Sequence, residues 1–478
     1  MSVTEQIAQF ALSPKLSALP SDLVKQAKGR ILDTVGVTLA GSVEDCTRIA
    51  AEVAYARGSE NACTVLGFPF ALRATEAAFV NGVGAHALEY DDITSTAVTH
   101  TSACIVPGVL SLAEELGRSG QDVLEAFVVG FEVATRIGLA MRKTLLPRGW
   151  HPNGVLGVIG VATASARLLK LTQAQTCCAL GIAASCSSGI RKNVGSMTKP
   201  FHVGHAASDG ILAARLAAKG FTADADVFTM ASSVAASGQS AKGHGAFSFF
   251  EVFAGSGGYN PDDVVRGLGE KFELSTDSTI TRFHPGSTFP QGAIDEIIDL
   301  IDAHNLRADQ ISDMRVGVTP ACRAIAPYGV PDNGLYARFS APYTFAVAAI
   351  DREVAIRQYD DERVRAPDVQ ALLRNVDVYV PDEFLSIGMD WDGNRLTPIS
   401  CIVEIRCKNG KVLSGRRDTT KGYPGTETTW DDLAKKYRVC AEVVLSPKAV
   451  ELSLAGIESL ESCSDIGKLL KQFRVDAR

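Results

Sequence analysis

The residues best suited to chemistry lie in short segments that mix histidines, carboxylates and cations. The richest is 189–220, GIRKNVGSMTKPFHVGHAASDGILAARLAAKG. There Arg191, Lys192, Lys199, His202 and His205 stand in a Gly/Ser/Thr-rich stretch ahead of an apolar helix. Cationic side chains near helix-start N–H groups suit an anion. The segment reads as a carboxylate-binding site, with a solvated basic loop as the plain alternative. Lys199 precedes Pro200, which restricts its backbone and so presents the ammonium. A Lys or Arg beside an enolising carboxylate stabilises the negative charge that develops there.

Four further segments carry candidate groups. In HALEYDDITSTAVTH (86–100), Glu89, Asp91 and Asp92 close an Ala-rich helix, where the dipole disfavours carboxylates. His100 follows at the start of the next helix, a reasonable place for a neutral imidazole acting as acid or base. In RGWHPNG (148–154), His151 sits between Trp150 and Pro152 on a loop that opens a helix. Such a loop is more suggestive of function than an isolated histidine would be. Arg282 and His284 occupy a Pro/Gly turn within 280–295, at a proposed domain boundary, where sites concentrate. Arg338, Ser340 and Tyr343 precede a later helix; Tyr343 either donates a proton or packs as a core aromatic. There is no H-E-x-x-H, zinc-type Cys/His cluster or EF-hand loop, so the expected metal ligands are none. No G-x-S-x-G elbow is present. Acids, histidines, a lysine and arginines without a metal fit proton transfer next to a carboxylate: elimination, epimerisation or decarboxylation.

The elements that must position these groups fall into two kinds. At 478 residues the chain is expected to form two domains. Leu23, Ala27, Ile31, Val35 and Leu39 mark one amphipathic helix that ends at Gly41. Similar patterns cover 74–90, 105–117, 121–142, 153–170 and 173–187, and another helix runs from Pro200 to a stop at Gly220. Small residues spaced through GVLGVIGVATASA (154–166) read as a tight helix–helix contact rather than a nucleotide loop. After about residue 268 short β-like runs appear at 314–320, 376–382 and 401–415, the last with an Asn409-Gly410 hairpin turn. Helical segments at 291–304, 341–357 and 366–374 lie between them. Past Gly425 the chain turns helical again, with a final helix expected over 447–473.

Composition narrows the partners. A net charge of −7 gives no electrostatic case for nucleic acid or an anionic membrane surface. No apolar run reaches the ~18 residues of a membrane span. The first residues form neither a signal peptide nor an Arg-rich presequence, and the ending VDAR matches no address, so a cytoplasmic protein is expected. The 11 scattered cysteines lack any C-x-x-C pair and suit a reducing compartment. Nor do they show the short spacings of an iron–sulfur site.

Taken together, LDTVGVTLAG (32–41), FVNGVGAHALEYDD (79–92), GFEVATRIG (130–138), GWHPNGVLGVIG (149–160), the 189–207 segment, ARFSAPYTFAVA (337–348) and WDDLAKKY (430–437) resemble the MmgE/PrpD family. That family includes 2-methylcitrate dehydratase, cis-aconitate decarboxylase and iminodisuccinate epimerase. The resemblance implies a mainly α protein. An all-helical bundle domain is formed by both chain ends (1–267 and 420–478), and a smaller α+β lid domain (268–419) is inserted, with the site in the cleft. It further implies a homodimer that needs no cofactor. Carried over by motif, the site would include Glu89 with Asp92 nearby, His100, His151 and Lys199. Two departures stand out: Arg282 and His284 occupy positions where many relatives have a lysine and a tyrosine, and Gln291 replaces a histidine. Arg keeps the charge but cannot donate a proton at neutral pH.

The expectation is a cofactor-independent lyase of the 2-methylcitrate dehydratase type, acting on a di- or tricarboxylic acid. Arg191, Lys199 and Arg282 would bind carboxylates, with His284 and Tyr343 also contacting substrate. His151 would take the proton next to a carboxylate, and His100, oriented by Glu89 or Asp92, would protonate the leaving hydroxyl. The alternatives are a dicarboxylate epimerase, a cis-aconitate-type decarboxylase, or a non-catalytic relative that binds polycarboxylates.

Overall fold

The computed structural model describes residues 1–13, 15–56, 63–229, 247–274, 278–388 and 398–475. The chain forms two compact units. One contains Met1–Ala87, Asp91–Thr279 and Thr429–Arg478, the other Leu88–Tyr90 and Ile280–Thr428. The protein is mainly α, with a small mixed sheet in the second unit.

The first unit is built on α1 (Val3–Leu12), α2 (Ser21–Gly41), α3 (Asp45–Tyr55), α4 (Ala74–Ala87), α5 (Thr101–Glu115), α6 (Gly120–Met141), α7 (Pro152–Leu168), α8 (Gln173–Cys186) and α9 (Thr198–Ala218). Their ends follow local chemistry. Capping boxes Ser119/Asp122 and Thr172/Gln175 start α6 and α8. Pro200 lies in the first turn of α9, and Gly220 follows its end with φ +89°. The apolar stripe Leu23, Ala27, Ile31, Val35, Leu39 of α2 is buried throughout.

Four of these helices approach more closely than a methyl group would allow. A Cβ at Gly204 of α9 would lie 2.4 Å from the Phe79 carbonyl oxygen of α4. One at Gly157 of α7 would lie 2.6 Å from Cys104 Sγ of α5, and one at Gly210 of α9 2.5 Å from Val161 Cβ of α7. The small residues at 154–166 thus serve close packing.

The helix Trp430–Ala441 packs on α2, where a Cβ at Gly36 would meet Tyr437 at 3.1 Å. Lys436 Nζ reaches Asp33 Oδ1 of α2 at 2.7 Å. The single helix expected over 447–473 is broken into Pro447–Glu458, a 3-10 turn at Leu460–Ser462, and Ile466–Leu470. Asp465 caps the new start by accepting from the Gly467 N–H at 3.0 Å.

The units divide at Thr279/Ile280 and Thr428/Thr429, where sequence alone places the changes at 268 and 420. Residues just past 268 stay with the helices for a physical reason. Leu268, Phe272 and Leu274 join the helical core. The Arg136 guanidinium donates to the carbonyls of Arg266, Gly267 and Lys271, and the Glu132 carboxylate accepts the Glu273 N–H at 2.7 Å.

The second unit centres on a four-stranded sheet in the order Val376–Tyr379, Ile311–Val318, Cys401–Cys407, Val412–Arg417. The first pairing is parallel and the others antiparallel. Cys401, Val403, Ile405 and Cys407 alternate inward, as a half-buried strand requires. Gly410, with φ +86°, makes the hairpin turn. Helices Gln291–Ala303 and Ala341–Asp351 lie against the sheet. No helix among the described residues is long and apolar enough to cross a membrane.

Candidate active site

The helical unit gathers its proton-handling residues at helix ends. His86 lies in the last turn of α4. His100 and His151 are the N-cap residues of α5 and α7, and neither side chain caps its own helix. Each imidazole is thereby available to other partners. Asn153 sits in the first turn of α7, and Lys199 and His202 in the first turns of α9. The close seams between α4, α5, α7 and α9 bring these ends together. The rings of His86 and His100 are 4.5 Å apart, those of His86 and His151 6.0 Å, and those of His151 and His202 5.1 Å.

Asp91 is wholly buried and lies against two of these rings. His86 Nδ1 lies 3.0 and 3.1 Å from its two oxygens, and His100 Nδ1 lies 2.9 Å from Oδ2. Asn153 ties in from the side. Its Oδ1 accepts from the His100 N–H at 3.0 Å and the Thr99 hydroxyl at 3.1 Å, while its Nδ2 is 3.4 Å from His86 Nε2.

The second histidine pair is electrostatically different. His151 Nδ1 and His202 Nδ1 are 3.0 Å apart. Burial first, and then the neighbouring Lys199 ammonium, hold His151 well below the usual imidazole range. Burial, followed by His86, His205 and Lys199, brings His202 down to about 4. Both rings are neutral at pH 7, so one Nδ1 donates and the other accepts. Lys199 itself is buried. The 190s loop is pinned beside His151: the His151 N–H donates to the Gly189 carbonyl at 3.0 Å, and the Arg191 N–H to the Gly149 carbonyl at 2.8 Å. Arg191 is half-buried there. His205, farther along α9, pairs with Asp209 at 3.1 Å and stacks on Phe201.

Several expected roles are placed differently by the structure. The carboxylate at 2.9 Å from His100 Nδ1 is that of Asp91. Asp92 turns away, accepting from the Ser102 hydroxyl at 2.6 Å, with Arg30 Nε at 4.0 Å. Burial raises it to about 7 against the pull of Arg30. Glu89, in the left-handed region at φ +53°, belongs to the second unit, where Arg282 Nη1 lies 3.6 Å from its Oε2. Arg282 also donates to the Gly286 carbonyl at 3.0 Å. His284 has both ring nitrogens engaged, by the Val354 carbonyl at 3.0 Å and Asp295 at 2.9 Å. It is thus held within its own unit rather than offered to a ligand. Tyr343 is fully buried and donates to the Gln358 carbonyl, so it is a core aromatic. Gln291 staples its own turn, accepting from the His284 N–H and donating to the His284 carbonyl.

Sequence reasoning passed over His86 and Asn153 and did not separate Asp91 from its neighbours. A signal existed for each: His86 precedes Asp91 by one helical turn and a residue, and Asn153 is two residues past His151. Buried histidines on a carboxylate, beside a neutral imidazole pair and a lysine, can bind an anion and exchange a proton at carbon.

The comparisons with known proteins give the family. The MmgE/PrpD N-terminal domain matches residues 5–239, and the MmgE/PrpD C-terminal domain matches residues 284–461. The chain belongs to the MmgE/PrpD family, and it is an enzyme of that family. It is similar to cis-aconitate decarboxylase of Homo sapiens, at 29% identity over 98% of this chain and 95% of that protein. It is likewise similar to cis-aconitate decarboxylase of Mus musculus, at 27% identity over 98% of this chain and 93% of that protein. The cis-aconitate decarboxylase of Aspergillus terreus matches at 27% identity over 98% of this chain and 95% of that protein.

Proposed function

We propose that this protein is a carboxy-lyase that decarboxylates cis-aconitate or a closely similar unsaturated tricarboxylate. The observation that carries this is the end-to-end similarity to cis-aconitate decarboxylases of animals and a fungus. It moves the reading away from the dehydration that motifs alone put first. Histidines, a lysine and a buried carboxylate converging in the helical unit supply what the chemistry needs.

In such a substrate a CH2–COO⁻ arm is attached to a C=C bond. Cleavage of the arm's C–C bond releases CO2, and its electron pair forms a new C=C bond. The old π pair moves to the next carbon, which takes one proton. No proton is abstracted, so one acid and a set of carboxylate-binding cations suffice. Lys199 and Arg191 hold the carboxylates that stay, and His100, backed by Asp91, delivers the proton from Nε2. The neutral His151–His202 pair beside Lys199 keeps that ammonium the dominant charge for an anion. We further propose a cytoplasmic homodimer, a reading supported by the free cysteines and by the family resemblance.

The test is incubation with cis-aconitate in D2O, followed by CO2 release and proton NMR. The expected result is CO2 together with new vinylidene protons and one deuterium in the adjacent methylene. Citrate, 2-methylcitrate and iminodisuccinate run alongside. Unsaturated product from a hydroxy acid without CO2 would return the assignment to a dehydratase. Deuterium exchange into recovered substrate alone would make it an epimerase.

A further inference from the structure

We infer that His202 is a positioning residue that holds His151 as a neutral hydrogen-bond donor to a substrate carboxylate. The inference deepens the carboxylate-binding part of the reading above and rests on it. It follows from the way two buried imidazoles of the helical unit share one Nδ1–Nδ1 contact.

His151 Nδ1 and His202 Nδ1 are 3.0 Å apart, and both side chains are buried. Gly189 backs the pair. Its carbonyl accepts the His151 N–H at 3.0 Å, and a Cβ there would lie 3.4 Å from His202 Cγ and 3.5 Å from His151 Cβ. Its φ of +110° disfavours any side chain, so bare backbone lies against both rings. Two neutral imidazoles carry two hydrogens on four nitrogens. One hydrogen lies in the Nδ1–Nδ1 bond. The ring that donates it has a bare Nε2, and the ring that accepts it bears the second hydrogen on Nε2. The pair thus has two states, and in each state one Nε2 donates while the other accepts.

A bound anion selects between them. Lys199 precedes His202 by three residues on α9, so both lie on one helix face. Its ammonium acts on both imidazoles. A carboxylate drawn to Lys199 can only accept. Against a bare His151 Nε2 it meets a lone pair; against Nε2–H it gains a hydrogen bond. Binding therefore selects the state in which His202 donates from Nδ1 to His151 Nδ1, and His151 donates from Nε2. Reaching it from the other state moves one hydrogen from His151 Nδ1 to His202 Nδ1. His202 Nε2 gives one up to water, and His151 Nε2 takes one from water. Both rings start and finish neutral. The other titratable groups that face the pair are His86 of α4, His100 of α5 and His205 of α9. The two states also separate the candidate reactions. Proton abstraction by His151 needs its Nε2 bare, whereas decarboxylation, which abstracts no proton, runs with His151 as a donor.

The test uses the full chain and tricarballylate, a saturated tricarboxylate that cannot lose CO2 by this route. Nitrogen and proton NMR of histidine-labelled protein reads both tautomers. With tricarballylate bound, His151 should be protonated at Nε2 and His202 at Nδ1, with a downfield Nδ1–H signal from the shared bond. His202→Leu removes the donor and should raise the tricarballylate Kd, and KM for CO2 release, by about tenfold, with a larger effect on KM than on kcat. His202→Asn, whose amide can donate to His151 Nδ1, should recover most of that loss. A His151 protonated at Nδ1 in the bound protein overturns the inference. So does a His202→Leu protein that melts earlier yet keeps its Kd and KM, and so does wild-type protein that takes up no tricarballylate. If wild-type protein binds tricarballylate but releases no CO2 from cis-aconitate, the reaction assigned above fails, and the tautomers and Kd still decide the role of His202. The wild-type spectra and His202→Asn serve if His202→Leu does not fold.

Discussion

Replacing Asp91 by Asn tests the core of the proposed chemistry. The substitution keeps shape and removes one charge, 2.9 Å from His100 Nδ1 and 3.0 Å from His86 Nδ1. Two unit charges about 4 Å apart interact by roughly 4 kcal/mol at an effective dielectric near 20. A neutral amide oxygen still accepts one N–H, worth about 1 kcal/mol. The net loss of support for a protonated His100 is then about 2–3 kcal/mol, or about 30- to 150-fold in its protonated fraction on the alkaline side. His100 must be protonated to act as the acid, so removal of Asp91 moves the alkaline limb of kcat to lower pH. Turnover at pH 7.5 should fall by a similar factor with KM nearly unchanged. The assay is CO2 release from cis-aconitate between pH 5.5 and 8.5, with a melting curve at each pH to separate folding from chemistry. A variant whose kcat stays within about threefold of wild type, with its alkaline limb unmoved, would falsify the claim that Asp91 sustains the acid.

Three further outcomes are expected. Lys199→Ala should raise KM for any polycarboxylate and cut turnover by about tenfold or more, since a buried charged hydrogen-bond partner is removed; steady-state kinetics with undiminished turnover would remove Lys199 from the site. Asp92 holds its proton up to about 7 in the folded protein but ionises near 3.9 when unfolded. The native state binds the extra proton across that window, so the stability Asp92 contributes is lost as pH rises from about 4 to 7; Asp92→Asn should flatten this slope, and parallel melting curves for wild type and variant would expose the error. Tyr343→Phe should leave kcat and KM unchanged while lowering stability by about 1 kcal/mol through loss of the bond to the Gln358 carbonyl; an altered KM in steady-state kinetics would restore Tyr343 to the substrate site.

Much of the scaffold is legible in the sequence, because its signals are local. The α2 stripe, the Pro200–Gly220 limits of α9 and the Asn409-Gly410 turn each depend on a few neighbouring residues. The family resemblance is legible too, since it is carried by motifs spread along the chain. What escapes is decided by distant partners. Asp91 and Asp92 are adjacent and alike in sequence, yet one faces two imidazoles and the other an arginine and a serine. His86 looks like one more residue of an Ala-rich helix until α7 sets Asn153 beside it. Tyr343 has the chemistry of a donor, but its hydroxyl is spent on a carbonyl fifteen residues away. The stretch after 268 carries no strong periodicity, and Arg136 and Glu132 on α6 capture its Lys271 carbonyl and its Glu273 N–H.

The ion pair between Lys436 and Asp33 links segments made far apart in synthesis. When the ribosome has completed His202, every histidine of the site in the helical unit has been translated, but the helix that covers α2 has not. Lys436 arrives only after the whole intervening unit has emerged. Until then Asp33 on α2 is a carboxylate without its ammonium, and Gly36 of α2 faces no Tyr437. Contacts of such sequence separation form late and slowly. A nascent or truncated chain would therefore carry all the proton-transfer groups and still lack the support that holds α2 beneath them. Activity then depends on the helix that carries Lys436 and Tyr437, and its loss would silence the enzyme without touching a reacting atom.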